Sequence, residues 1–150
     1  MRSLTVLLVV TGLAFGAPAV KKSLQLKDLP AAVQKTIQDN LKGGEIKNIG
    51  KETEDGVAQY EVETLLNSKH RDFNVDTKGN LIVVEEETSI DNIPAAARAT
   101  ILKKVGAGIL GMVETFAKPG KETMYEAAWK DKGGKKHEIL VKADGTETKE

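Results

Sequence analysis

Two stretches of the chain, 64 positions apart, repeat one short pattern, and this repeat constrains the fold more than any other sequence feature. Residues 26–37 read LKDLPAAVQKTI, and residues 90–101 read IDNIPAAARATI. In each stretch a proline precedes apolar residues at helical spacing, which predicts an amphipathic helix. The predicted buried stripes are Val33, Ile37 and Leu41 in the first helix and Ala97, Ile101 and Val105 in the second.

The sequence also predicts where both helices begin and end. Asp28 and Asn92 can accept hydrogen bonds from the free amides of a helix start. The proline two positions later is tolerated in the first turn, where its missing N–H costs nothing. Glycines at 43, 44 and 106 are then expected to stop the helices.

Strand-like alternation follows each helix, with turn sequences between the strands. The predicted strands cover residues 45–54, 59–66, 71–76 and 81–87 in the first copy, and 109–116, 124–130, 137–142 and 146–149 in the second. The predicted fold class is therefore α+β, with two tandem helix-plus-antiparallel-sheet repeats packed as one body. The repeats span residues 20–88 and 89–150. One sheet face is expected to remain open to solvent or to a partner.

The first 19 residues have the composition of a secretory signal peptide. Arg2 supplies a positive charge, residues 4–13 form an apolar run, and Ala17 and Ala19 provide small residues for cleavage. The run is shorter than the roughly 20 apolar residues that a membrane-spanning helix needs. Cleavage is predicted after Ala19 or, alternatively, after Ala17. The mature protein is therefore expected in the periplasm or outside the cell, without stable membrane insertion.

Composition excludes several classes of function. The 22 basic and 22 acidic residues cancel, which argues against a strongly basic nucleic-acid-binding protein. The chain has no cysteine, so disulfides, thiol catalysis and thiolate metal sites are excluded. Short charged runs at residues 85–87 and 130–136 are typical of solvated turns and sheet edges. An anion-binding loop is the alternative for the second run, which contains four lysines.

The sequence provides no convincing set of catalytic or metal-binding residues. Ser68 and His70 lie in a predicted hairpin turn without a supported third member of a triad. His70 with Asp72, or His70 with His137, supplies fewer than the three or four convergent ligands that zinc requires. We therefore predict a protein that is not an enzyme, with no catalytic residues, no metal site and no cofactor.

Three of the six aromatic residues are the best candidates for a protein-binding site, namely Tyr60, Tyr125 and Trp129. The alternative is that these side chains pack beneath a helix, and this alternative is favoured for Tyr60 and Tyr125. Trp129 lies near a predicted strand end, beside the lysine-rich turn. Because tryptophan is enriched at interaction hot spots, Trp129 is the stronger candidate.

The order of these motifs resembles the PepSY-like repeat, which is similar to the β-lactamase inhibitory protein. The resemblance lies in residues 29–33 (LPAAV), 60–63 (YEVE) and 73–81 (FNVDTKGNL), and more weakly in 93–96 (IPAA) and 139–145 (ILVKADG). It covers about residues 24–150 and involves structural motifs. It implies an exported protein that binds a protein or peptide, and inhibition of an exported hydrolase is one form that such binding can take. An envelope module that binds a small ligand or metal is the alternative.

Overall fold

The computed structural model describes residues 23–54 and 56–149, so the predicted signal peptide lies outside the described residues. Two helices, α1 and α2, each follow a single 3-10 turn. The helices span Ala31–Leu41 and Ala95–Val105, and the turns span Leu26–Asp28 and Ile90–Asn92. The strands are β1 (Glu45–Glu54), β2 (Val57–Leu66), β3 (Lys69–Asp76), β4 (Leu81–Thr88), β5 (Ile109–Ala117), β6 (Met124–Lys130), β7 (Lys136–Lys142) and β8 (Glu147–Thr148).

The predicted fold class, α+β with two helix-plus-sheet repeats, is wrong. The strands form one eight-stranded antiparallel sheet in sequential order, so the fold is mostly β with two short helices. The two halves join where β4 pairs with β5, from Val84 opposite Ala117 to Thr88 opposite Val113. Two separate four-stranded sheets would leave these backbone groups unpaired at an edge. Pairing them satisfies the groups and explains why one continuous sheet forms.

Both helices pack on the same face of this sheet. Val33 and Ile37 of α1 lie in one buried cluster with side chains of β1, β2 and β3. Ala97, Ile101 and Val105 of α2 lie in a second cluster with side chains of β5, β6 and β7. The predicted stripes are thereby confirmed, with Leu41 packed at the margin of the first cluster. We call the opposite side of the sheet the open face.

The predicted capping by Asp28 and Asn92 is wrong. Both residues end the 3-10 turns, and the N-cap positions of α1 and α2 are Pro30 and Pro94, with no side-chain hydrogen bond to the helix. The prediction failed because an extra turn stands between each candidate cap and its helix. The predicted ends are confirmed, since backbone at positive φ follows α1 and begins at Gly106 after α2.

Arg71 joins the sheet to the end of α1 and is only 3% exposed. Its Nε donates a hydrogen bond of 2.6 Å to Glu86, and its Nη1 donates to the carbonyl of Asn40 in the last turn of α1. A cation is favoured at that end of a helix. We expect Arg71→Met to lower the free energy of unfolding by about 2 kcal/mol, because both acceptors lose a charged donor.

Urea denaturation followed by circular dichroism measures this loss. Lys69→Met is the matched control, since Lys69 lies on the same strand and is exposed. The control should change stability by less than about 0.5 kcal/mol. Equal effects of the two substitutions would contradict the role given to Arg71.

Candidate functional site: the open face of the sheet

An apolar cluster lies on the open face, and no helix of residues 23–54 and 56–149 lies above it. Val83, Phe116 and Leu140 are buried there, and Ile82 and Met124 pack against them. These side chains belong to β4, β5, β6 and β7, and no residue of α1 or α2 belongs to the cluster. Register irregularities between β3 and β4 and within β5 bend the strands locally. The open face therefore has an apolar centre formed by residues of β4 to β7.

A pocket of about 300 Å³ opens on this face beside the apolar cluster. Its lining residues are Glu54, Val57, Gln59, Asp76, Ile82, Val83, Phe116 and Lys118. The lining combines apolar side chains with Gln59, two carboxylates and one lysine. Gln59 is held in place because its side-chain amide donates to Glu52 at 3.0 Å and to Glu54 at 2.7 Å. The pocket can accommodate an apolar side chain of a partner.

Carboxylates cross the open face in a row from β2 to β7. Asp72 lies opposite Glu85, and Glu114 lies between Glu87 on one neighbouring strand and Glu126 on the other. We call this set the acidic row. Its members are Glu63, Asp72, Glu85, Glu87, Glu114, Glu126 and Glu138. Like charges directly opposite each other destabilise a sheet, so this face holds electrostatic repulsion.

Glu114 is the most constrained member of the acidic row. It is only 6% exposed, and its Oε1 atom has no hydrogen-bond partner among the described residues. Burial raises the pKa of Glu114 to about 7, and the charges of Asp72, Glu87 and Glu138 add to the rise. A buried carboxylate oxygen without a donor is costly, so this position favours a proton or an added cation.

Asp72 and Glu138 show the same influence of burial. Burial raises the pKa of Asp72, although the backbone amide of Thr64 donates to its Oδ1 at 2.8 Å and His70 lies nearby. Burial also raises the pKa of Glu138, and Lys136 counteracts this. His70 and Lys136 thus lie beside the two ends of the row. In three of its members, Asp72, Glu114 and Glu138, burial disfavours the ionised form of the carboxyl.

The aromatic binding candidates lie on the helix-covered side of the sheet. Tyr60 belongs to the cluster beneath α1 and is 6% exposed. Tyr125 and Trp129 pack at the margin of the cluster beneath α2. The Trp129 ring stacks on His137, with the ring centres 5.1 Å apart. The structure therefore separates these three residues from the open face, and Trp129 is positioned at an edge of the core.

The two histidines lie far apart in the sheet. His70 is on β3 at the open face, whereas His137 is on β7 beside Trp129, and its Nε2 lies 2.9 Å from Asp131. The hydrogen bond to His137 is the main reason for the lowered pKa of Asp131. Among the described residues, no three histidine, aspartate or glutamate side chains are arranged to hold a metal ion.

The sequence analysis missed the acidic row and interpreted residues 85–87 as a solvated run. The available signal was the alternation of acidic residues in three strands, at positions 61 and 63, 72 and 76, and 85 and 87. Alternation places the members of each pair on one face. The strand register that brings Glu114 between Glu87 and Glu126 is a property of the continuous sheet, which the sequence did not reveal.

No protein-family model matches the sequence, and no curated protein matches it. Solved structures do match it. A candidate periplasmic protein from Bacteroides eggerthii gives a TM-score of 0.65 at 14% identity, over 81% of this chain and 86% of its own. A DUF2874 family protein from Bacteroides uniformis gives a TM-score of 0.64 at 15% identity, over 80% of this chain and 86% of its own. A BLIP-like protein from Bacteroides fragilis gives a TM-score of 0.58 at 18% identity, over 81% of this chain and 84% of its own.

This chain shares its fold with these proteins. The predicted similarity to the β-lactamase inhibitory protein is thereby confirmed at the level of fold, through the BLIP-like structure. At such low identity the similarity shows the fold alone. Within the described residues, neither helix is long and apolar enough to cross a membrane.

Proposed function

We propose that this protein is an exported, non-enzymatic module that binds another protein or a peptide through its open face. The apolar cluster of Val83, Phe116 and Leu140, which neither α1 nor α2 covers within the described residues, is the observation that carries the proposal. An apolar centre surrounded by polar groups is the usual anatomy of a recognition surface. Inhibition would follow if the partner were an exported hydrolase and the bound sheet blocked its active site.

Export is supported by the composition of residues 1–19 and by one structural neighbour described as a candidate periplasmic protein. Protein binding is supported by the BLIP-like neighbour. The backbone of the open face is fixed by ladder hydrogen bonds on both sides of β2 to β7. Such a surface loses little conformational freedom on binding, so contacts made there contribute more fully to affinity.

We also propose that the two halves are copies of one PepSY-like repeat. In the first half, Thr36 Oγ1 donates to the carbonyl of Gly79 at 2.6 Å. In the second half, Thr100 Oγ1 donates to the carbonyl of Gly145 at 2.8 Å. The same contact between a helix and a hairpin turn thus occurs in both halves. This supports a common origin of the halves within one sheet.

Site-specific photo-crosslinking tests the binding proposal. A photoreactive amino acid replaces Asn74, which is half-buried on the open face, and the protein is exposed to the exported proteins of its host. Gln38, an exposed amide residue on α1, is the matched control position. We expect one protein to be crosslinked from position 74 and not from position 38. Its activity, if it is a hydrolase, should fall when the purified module is added.

Crosslinks from position 38 alone, or equally from both positions, would contradict binding through the open face. Absence of any crosslinked protein would favour the alternative of a small-ligand or metal-binding envelope module. Calorimetry with zinc, copper and calcium then tests that alternative directly, since a module that only binds proteins should show no heat of metal binding.

A further inference from the structure

The acidic row is a local concentration of charge in a neutral chain. The sequence contains 22 basic and 22 acidic residues, yet the row places carboxylates on six consecutive strands of one face. Neighbouring strands lie about 4.8 Å apart, so the row extends over roughly 24 Å. Basic or titratable groups also lie on this face. His70 is near Asp72 and Lys136 is near Glu138. Lys118 lines the pocket, and Lys130 and Lys142 lie on β6 and β7. The middle of the row, around Glu114, is the most acidic part.

The environment of Glu114 indicates that this surface lacks a donor or cation for a buried carboxylate. Its Oε1 atom is buried and accepts no hydrogen bond from the part of the chain that the structure describes. Glutamates on both neighbouring strands flank it. Ionised carboxylates in proteins are normally paired with a donor or a cation. The flanking Glu87 and Glu126 are half-buried, and Glu87 accepts a hydrogen bond of 3.0 Å from the backbone amide of His70. A cation placed here would relieve repulsion and supply the missing donor together.

We propose that the acidic row binds an extended polypeptide segment of a partner that carries several lysine or arginine side chains. This inference rests on the proposed function and names the chemistry of its partner. Cationic side chains of the segment pair with the row, and one of them donates to Glu114. The complementarity is between a row of carboxylates and a row of cations.

The shape of the surface favours a segment over a single ion. A metal ion needs several ligands that converge on one point, and the described residues contain no such group of histidines, aspartates and glutamates. The row is instead spread across the sheet, at right angles to the strands. A polypeptide lying along the row can place successive cationic side chains near successive carboxylates.

The pocket beside the row indicates that the bound segment also carries an apolar side chain. Phe116, which lines the pocket, lies directly opposite Glu85 of the row. Val83 also lines the pocket and is two residues from Glu85 on the same strand. A segment held by the row would therefore bring a neighbouring side chain to the pocket. We infer that the recognised segment has an apolar residue next to its cationic residues.

Fluorescence anisotropy with synthetic peptides tests this inference. The probe is a labelled twelve-residue peptide of alternating lysine and serine with one central phenylalanine, and a second peptide has glutamate in place of each lysine. We expect the lysine peptide to bind the protein and the glutamate peptide not to bind. The affinity should fall at least tenfold when the salt concentration rises from about 0.05 M to 0.5 M, because salt screens the charges.

Paired variants locate the binding surface. The double variant Glu114→Gln and Glu126→Gln removes two carboxylates from the row. It should lower the affinity for the lysine peptide at least tenfold. The control double variant Asp39→Asn and Glu147→Gln removes the same charge elsewhere: Asp39 is exposed on α1, and Glu147 pairs with Lys104 of α2. The control should change affinity less than twofold. Unfolding curves of all variants verify that each remains folded.

Each contrary result overturns the inference. The inference is wrong if the lysine peptide does not bind or if the glutamate peptide binds equally well. It is also wrong if both double variants lower the affinity for the lysine peptide equally. Calorimetric binding of calcium without peptide binding would assign the row to a metal ion instead. The photo-crosslinking experiment is independent of charge. Crosslinks from position 74 together with no peptide binding would therefore preserve the proposed function and reject only its cationic partner.

Discussion

Replacing Glu114 by glutamine is expected to raise the free energy of unfolding at pH 7.5 by on the order of 2 to 3 kcal/mol. The carboxyl of Glu114 is buried, lacks a donor at Oε1 and lies near the charges of Asp72, Glu87 and Glu138. A neutral amide of similar size removes the repulsion and most of the desolvation penalty. The substitution is thus expected to stabilise the fold while it weakens binding of the lysine peptide.

The effect of Glu114 on stability has a defined dependence on pH. Its pKa is about 7 in the folded protein, above its ordinary value of 4.5, so the folded state binds this proton more tightly than the unfolded state does. The resulting stabilisation is fully present below about pH 4.5 and is lost as the pH rises through about 7. The raised pKa values of Asp72 and Glu138 act in the same direction. Glu87 and Glu126 face Glu114 from the neighbouring strands.

Urea denaturation at pH 5.0, 6.0, 7.0 and 8.0 measures this dependence for the native sequence and for Glu114→Gln. The native protein should lose stability between pH 5.0 and 8.0, and the variant should lose much less. Glu122→Gln in the exposed loop between β5 and β6 is the matched control and should follow the native curve. A variant that is less stable than the native protein at pH 8.0 would refute the electrostatic account of Glu114.

An unfavourable carboxylate at the centre of a sheet is consistent with a binding surface. Apolar residues occupy the equivalent buried positions on the helix-covered face, for example Val113 next to Glu114 in the sequence. Stability alone would favour an apolar or amide side chain at position 114 as well. Local destabilisation of this kind occurs at functional sites, where interactions with a ligand compensate for it. The opposite effects expected on stability and on peptide binding follow from this argument.

The sequence predicted individual elements well because their signals are local. The spacing of Val33 and Ile37 predicted a helical stripe, which is observed. Alternating residues predicted a strand over residues 59–66, and β2 covers them. Joining of the two halves was not predictable in this way. The pairing of β4 with β5 places Glu87 opposite Glu114, which is 27 positions later, and no local pattern specifies such a register. The acidic row depends on that register and was missed for the same reason.

Gly79→Ala is expected to lower the free energy of unfolding by at least about 3 kcal/mol, since the turn between β3 and β4 lies directly against α1. The backbone of Gly79 has a φ of +92°, and an added Cβ would lie 2.8 Å from the backbone carbon of Ala32. Thr36 of α1 also donates to the Gly79 carbonyl, so the turn cannot move away without breaking that bond. Gly145→Ala should behave alike, because its Cβ would lie 2.8 Å from the carbonyl oxygen of Ala96.

Gly43→Ala separates the cost of this contact from the cost of backbone strain. Gly43 has a φ of +88°, close to that of Gly79, and an added Cβ would meet nothing within 4 Å. The control should therefore lose only about 1 kcal/mol, the usual penalty for a side chain in the left-handed region. Urea denaturation of the three variants gives the comparison. Similar losses of stability for Gly43→Ala and Gly79→Ala would show that the contact between helix and turn contributes nothing. A larger loss at positions 79 and 145 than at position 43 would show that the same contact stabilises the packing of both helices on the sheet.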